Sequence, residues 1–124
     1  MKQLTQATAT ATEALACRYL QQAGLHLLAR NFRCLRGEID LIMQTESQLV
    51  FVEVRYRKKS NFGTPAETVT PAKQRKLIQT AYYYMQQHHL HHASCRFDVI
   101  AITSPLDKAH VQWIQNAFSV PSYY

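Results

Sequence analysis

The most apolar stretch before the middle of the chain falls into two short runs, 38–43 and 49–56. Both are rich in Ile, Leu, Val and Phe, and the polar segment TESQ separates them. Runs of this composition around a short polar break predict a strand hairpin. Residues 25–33 read as a strand just upstream, ending in arginines, so that three strands in succession form an antiparallel meander. Earlier still the period changes: Leu15, Ala16, Tyr19, Leu20 and Ala23 recur at helical spacing, with Thr10 or Thr12 as the cap and Gly24 as the stop. Glu13 lies at the edge of that apolar arc, beside Cys17. A second helix is predicted from Thr70, a capping residue followed by proline at the first helical position, to about His88. Its inward stripe is Leu77, Ile78, Ala81, Tyr84, Met85 and His88, extended back by Gln74, which leaves Lys73, Arg75 and Lys76 facing outward. Residues 96–103 are almost continuously apolar, as in the covered middle of a sheet, and 110–118 read as a last strand.

The order helix, three antiparallel strands, helix, one or two further strands describes an α/β domain with a mixed sheet. Residues 1–11 are polar and low in complexity and are expected to form a flexible N-terminal arm. Residues 12–118 then make a single domain, and 119–124 a C-terminal tail. A chain of 124 residues with 47% hydrophobic content supports one core and not two. The net charge of +6 and a pI near 9.4 favour an acidic partner, of which nucleic acid is the commonest. Cys17, Cys34 and Cys95 lie far apart with no C-x-x-C, which speaks against a zinc site and against a disulfide framework. Free thiols in a reducing cytoplasm fit this pattern, as does the absence of a signal-peptide core or membrane-length apolar run. The expectation is a cytoplasmic protein with no membrane partner.

Acids interrupt both central strands. Side chains alternate across a strand, so Glu38 and Asp40 share one face, and Glu53 and Arg55 share a face of the next strand. Carboxylates among apolar neighbours are costly to desolvate unless a cation, a metal or hydrogen-bond donors compensate them. An acid on one strand and Glu-x-(basic) on its hairpin partner can bring two carboxylates to one Mg²⁺ with a cation beside them, the equipment for phosphodiester hydrolysis. The residues concerned are Asp40, Glu53 and Arg55. The bland alternative is a surface hairpin with a cross-strand Glu to Arg pair.

Cations surround these acids in the sequence. Arg30, Arg33 and Arg36 precede them, and Arg57, Lys58 and Lys59 open a basic, turn-rich loop that contains Phe62. Arg33, Arg36, Arg57, Lys58, Lys59 and Lys73 are candidate phosphate contacts; solvated strand ends and a solvated loop are the alternatives. Gln74, on the inward face of the second helix, is placed to hydrogen-bond near the acids. Gly37 stands where a strand bends or lets another backbone approach closely. The HHLHH run, 88–92, has no acid or cysteine beside it to complete a metal shell and reads as a solvated helix end. Asp98 calls for a partner, either Arg96 or a backbone donor.

RGEIDLI followed by LVFVEVRYR, with TEALACRYL and LLARNFRCLRGEIDLI upstream and PAKQRKL and RFDVIAI downstream, resembles the YraN family of small bacterial proteins. That family is similar to archaeal Holliday junction resolvases and to the restriction-endonuclease-like, PD-(D/E)xK nucleases. The resemblance runs from about Thr12 to Ile102. It implies a restriction-endonuclease-like core and a Mg²⁺- or Mn²⁺-dependent endonuclease site in which Asp40 and Glu53 hold the metal. It also implies that Glu13 is the helical glutamate that assists metal or water, and that branched or structured DNA is the substrate. A resolvase-like role would usually call for a homodimer. One position departs from the pattern: the usual Glu-x-Lys is here Glu53-Val54-Arg55. Arginine binds phosphate in a bidentate manner but stays protonated and cannot act as a general base. The alternative is therefore a catalytically degenerate nuclease fold that serves as a nucleic-acid-binding or protein-assembly module.

Overall fold

The computed structural model describes residues 5–57, 69–103 and 110–120. Helix α1 (Gln6–Gln22) leads into strands β1 (His26–Cys34), β2 (Gly37–Gln44) and β3 (Leu49–Arg57), then helix α2 (Pro71–Gln87), β4 (Cys95–Thr103) and β5 (His110–Phe118). The strands form one sheet in the order β1-β2-β3-β4-β5. Only β3 and β4 are parallel among these neighbours. Parallel neighbours need a crossover, and α2 supplies it. The architecture is thus the mixed α/β arrangement that the pattern predicts, with two strands after the second helix.

The helices cover opposite faces. Ala16, Cys17 and Leu20 of α1 pack on Leu41, Met43, Val50, Val52, Ile100 and Ile102. Leu77, Ile78, Ala81, Tyr84 and Met85 of α2 pack on Ile39, Ile42, Phe51, Phe97 and Val99. The stretches 49–52 of β3 and 99–102 of β4 are therefore buried on both sides, which is why they run apolar without alternation. Truncating Leu20 or Ile78 to alanine would cost ~2–5 kcal/mol in lost burial and residual cavity. Tyr84 is buried in the second core, while Tyr82 and Tyr83 stay exposed.

Helix α1 begins earlier than its sequence suggests. Thr5, and not Thr10 or Thr12, is the N-cap, its hydroxyl accepting from the N–H of Thr8 at 3.1 Å. Residues 6–11, assigned to a flexible arm on polarity alone, are helical. Thr12 lies within the helix, buried, its hydroxyl donating to the carbonyl of Thr8 at 2.7 Å. Threonines spaced along this segment offer several equivalent caps, and a threonine that bonds back to the preceding turn is locally indistinguishable from one that starts a helix. The far end follows expectation. Gly24 has φ +100° and donates to the Gln21 carbonyl, while Leu25 donates to that of Leu20, a Schellman ending. In α2, Thr70 caps by accepting from the N–H of Lys73 at 3.2 Å, and Pro71 opens the helix. His88, expected on the inward stripe, is instead the exposed C-cap, and its ring stacks on Tyr84.

Two details of register position the site. The β2–β3 ladder runs from Gln44–Leu49 to Leu41–Val52 and goes no further. The β1–β2 ladder steps from Arg30–Leu41 to Phe32–Ile39, leaving Asn31 and Asp40 across from each other and out of the register. Asn31 has φ 51°, in the left-handed region. Across this step the side-chain alternation reverses in both strands. Ala29 and Phe32 both meet the α2 core, and Ile39 meets it too while Leu41 meets the α1 core.

Candidate active site

The site forms where β2 leaves β3. Asp40 is the first residue past the last β2–β3 pair, and with the ladder ended the N–H of Val54 donates to Asp40 Oδ2 at 2.8 Å. Glu53 shares the α2 face with Phe51 and is 7% exposed. Its Oε2 lies 3.3 Å from Arg55 Nε and 3.3 Å from Lys73 Nζ. Two cations from different elements thus meet one carboxylate oxygen, and Asp40 stands against the same carboxylate.

The electrostatics follow from this crowding. Burial and then the neighbouring Glu53 charge push the Asp40 carboxyl from 3.8 up to about 8; a hydrogen bond to Glu53 and the more remote Glu13 act in the same direction. The Val54 N–H opposes them, favouring the ionised form. A protonated Asp40 therefore shares a hydrogen bond with Glu53 near neutral pH. Without that proton the pair would be two carboxylates in contact, an arrangement that a divalent cation relieves.

The remaining residues singled out in the sequence distribute as follows. Glu13, on α1, lines a cavity of about 180 Å³ with Thr12, Asp40, Val54 and Tyr56. Gln74 donates its side-chain amide to the Val69 carbonyl at 3.0 Å, securing the entry to α2, and this is its described bond. Arg33 pairs with Glu38 at 3.0 Å on the exposed β1–β2 hairpin, and Arg36 is exposed at its turn. Arg57 is half-buried at the end of β3, beyond Arg55. Lys58, Lys59 and Phe62 lie outside the described residues.

Lys73 corrects the helical projection. It was expected to face outward, yet its ammonium reaches inward to Glu53. A long flexible side chain at a helix end is not bound to the face its Cα occupies. One sequence signal does mark it. The first turn of α2 holds no acid and does hold Lys73, against the preference for negative charge at a helix N-terminus.

Among the described residues, no group of three or more His, Cys, Asp or Glu side chains is arranged to hold a metal ion. The donors at the site are the Asp40–Glu53 pair, with Glu13 close enough to act on Asp40 but not joined with both in one such group. Mg²⁺ keeps several waters and takes as few as one or two carboxylates, so the oxygen pair fits Mg²⁺ or Mn²⁺ and does not fit a cage for Zn²⁺ or Ca²⁺. A larger cavity, about 810 Å³, lies away from these groups at the C-terminal end of α2, lined by Tyr82, Met85, His89, His91 and Cys95 among others. The three cysteines are free thiols. Among the described residues, no helix is long and apolar enough to cross a membrane.

Comparison with known proteins places the chain in a family. The pattern of the uncharacterised protein family UPF0102 matches residues 12–102. A UPF0102 protein of Coxiella burnetii (strain RSA 331 / Henzerling II) is 51% identical over 121 residues, covering 97% of this chain and 98% of its own. One from Nitrosococcus oceani is 49% identical over 111 residues, covering 89% and 90%. One from Herminiimonas arsenicoxydans is 52% identical over 102 residues, covering 82% and 78%. Matches of this length and identity, running through the strands that carry Asp40 and Glu53, mean that the chain belongs to the UPF0102 family.

Proposed function

We propose that the protein is a metal-dependent nuclease that hydrolyses phosphodiester bonds in DNA. The observation that carries this reading is the meeting of Asp40 and Glu53 with both Arg55 and Lys73 on the Glu53 carboxylate. A bound Mg²⁺ or Mn²⁺ would polarise a water and offset phosphate charge. Asp40 and Glu53 would hold that ion, and Glu13 would orient water from the α1 side. Arg55, permanently charged, is suited to grip the scissile phosphate through its planar fork. Lys73 differs from Arg55 in that an amine can surrender its proton, so it can take part in proton transfer where Arg55 cannot. Gln74 contributes by fixing the start of α2 and hence Lys73. Arg33, Arg36 and Arg57, with Lys58 and Lys59, would follow the nucleic-acid backbone on either side, in keeping with the net charge of +6.

The test compares wild type with Asp40→Ala on linear, flapped and four-way DNA, in Mg²⁺, Mn²⁺ or EDTA. Cleavage that requires metal and disappears in the variant is the expected result. A second reading is favoured by the same ion pairs: two cations already compensate Glu53, so the site is tolerable without a metal, as a nucleic-acid-binding module with no chemistry would require. Binding that survives Asp40→Ala and EDTA, with no cleavage by wild type, would select that reading over the nuclease.

A further inference from the structure

We infer that Asn31 is the positioning residue for Asp40: its left-handed backbone conformation turns the Asp40 carboxylate out of the sheet's alternation and toward β3. The inference deepens the nuclease reading, and rests on it for the claim that Asp40 holds a metal.

In a regular β2, Ile39 and Leu41 would share one face and Asp40 would point to the other. What happens instead is a reversal in both strands at one level. Ile39 and Ile42 face the α2 core and Leu41 faces the α1 core, while Ala29 and Phe32 of β1 share the α2 core. The one pair missing from the register at this level is Asn31 and Asp40. A single-strand bulge would shift the register, as happens between Leu27 and Ala29; here both strands give up one residue and the register beyond is kept. The break frees Asp40 from the face-to-face alternation and lets its Oδ2 meet the N–H of Val54 at 2.8 Å, beside Glu53.

The residue opposite must therefore adopt a backbone conformation that most side chains resist. Asn31 does so at φ 51° with its side chain exposed, so its value lies in the conformation it accepts and not in core packing. The chain uses a related device elsewhere. Asn116 of β5, at φ 52°, lies across from Asp98 of β4 at another break in register, and its N–H donates to Asp98 Oδ1 at 2.9 Å. Both instances pair an inward-turned aspartate with a left-handed asparagine on the neighbouring strand.

Asn31→Gly keeps the positive φ accessible, Asn31→Val penalises it through a β-branched side chain, and Asn31→Ala penalises it less. Two readouts are independent of cleavage: hydrogen-exchange protection of the Val54 amide relative to Val99, and Mn²⁺ affinity by calorimetry with the metal alone. Asn31→Gly is expected to match wild type within about twofold in both. Asn31→Val is expected to reduce Val54 protection to the level of Asp40→Ala and to weaken Mn²⁺ binding about tenfold, with Val99 protection retained. If Asn31→Val does not fold, Asn31→Ala must show the same losses in smaller degree. Val54 protection unchanged in the Val or Ala variant overturns the inference, as does an equal loss in Asn31→Gly. A wild type that binds no Mn²⁺ sinks the metal-dependent reading alone, since Val54 protection still decides what Asn31 does.

Discussion

Asp98 and Asp40 are both acids drawn into the sheet, each across from a left-handed asparagine, and their surroundings differ in kind. Asp98 is 1% exposed and receives Arg96 through Nε at 3.0 Å and Nη2 at 3.2 Å, Trp113 Nε1 at 2.8 Å and the Asn116 N–H at 2.9 Å. Every neighbour in that set is a donor or a cation, so the ionised form is fully compensated and the group fastens β5 to β4. Asp40 receives one backbone N–H and faces a second acid, with Glu13 beyond. Among the described residues its bonded and charged neighbours are that N–H and acids, while Arg55 and Lys73 meet the Glu53 carboxylate. A buried acid that serves the fold is supplied with partners, whereas one set against another acid is held in a state that only a proton or an external cation completes.

Removing Asp98 should give the largest effect. Asp98→Ala leaves a guanidinium, an indole N–H and a backbone N–H without their acceptor, and is expected to cost ~3–5 kcal/mol in denaturant unfolding. A loss of under about 1 kcal/mol would mean that water replaces the carboxylate easily and that the contrast is weaker than the geometry suggests.

Asp40→Asn should do the reverse. The amide can still accept from Val54 and can donate to Glu53, as the protonated acid does, without a titrating proton. Folding raises the affinity of Asp40 for its proton, so between 3.8 and about 8 the folded chain holds a proton that the unfolded chain has released. Its contribution to stability is complete below the lower value and is lost as pH rises through the upper one. Above that upper value the variant is expected to be ~1–3 kcal/mol more stable than metal-free wild type, with a flatter pH profile in thermal unfolding, and inactive. The same proton competes with metal: Mn²⁺ affinity of wild type should climb as pH rises toward about 8 and then level off. A pH-independent affinity would show that the ion does not displace this proton.

The smallest effect is expected at Arg55. Arg55→Lys keeps the charge but gives up the planar fork, so KM for DNA should rise a few-fold with kcat within about threefold of wild type, in steady-state cleavage assays. A large fall in kcat would place Arg55 at the developing charge instead of at ground-state phosphate binding.

The contrast also explains what could be read from the chain in advance. Asp98 and its Arg96 partner were legible because they lie two residues apart on one strand face. The pairing of Asp40 with Glu53 was legible because hairpin acids at this spacing belong to neighbouring strands. The assumption of strict alternation, however, fails at Asp40, because a break shared by two strands depends on φ at Asn31, and asparagine in a strand-like run is an inconspicuous signal. Lys73 was misplaced for a comparable reason: periodicity assigns the face of a Cα, while the ammonium sits at the end of a four-carbon stem. The start of α1 was hidden by repeated threonines of equal capping quality.

Gly37, at φ +151°, begins β2 where the hairpin turn rests on α2; a methyl group there would lie 3.1 Å from Thr80 Oγ1 and 3.7 Å from Lys76 Cβ. The glycine thus couples the ribbon bearing Asp40, Arg33 and Arg36 to the helix bearing Lys73. A larger residue at 37 would wedge ribbon and helix apart, so their close seat depends on a position that interposes no side chain.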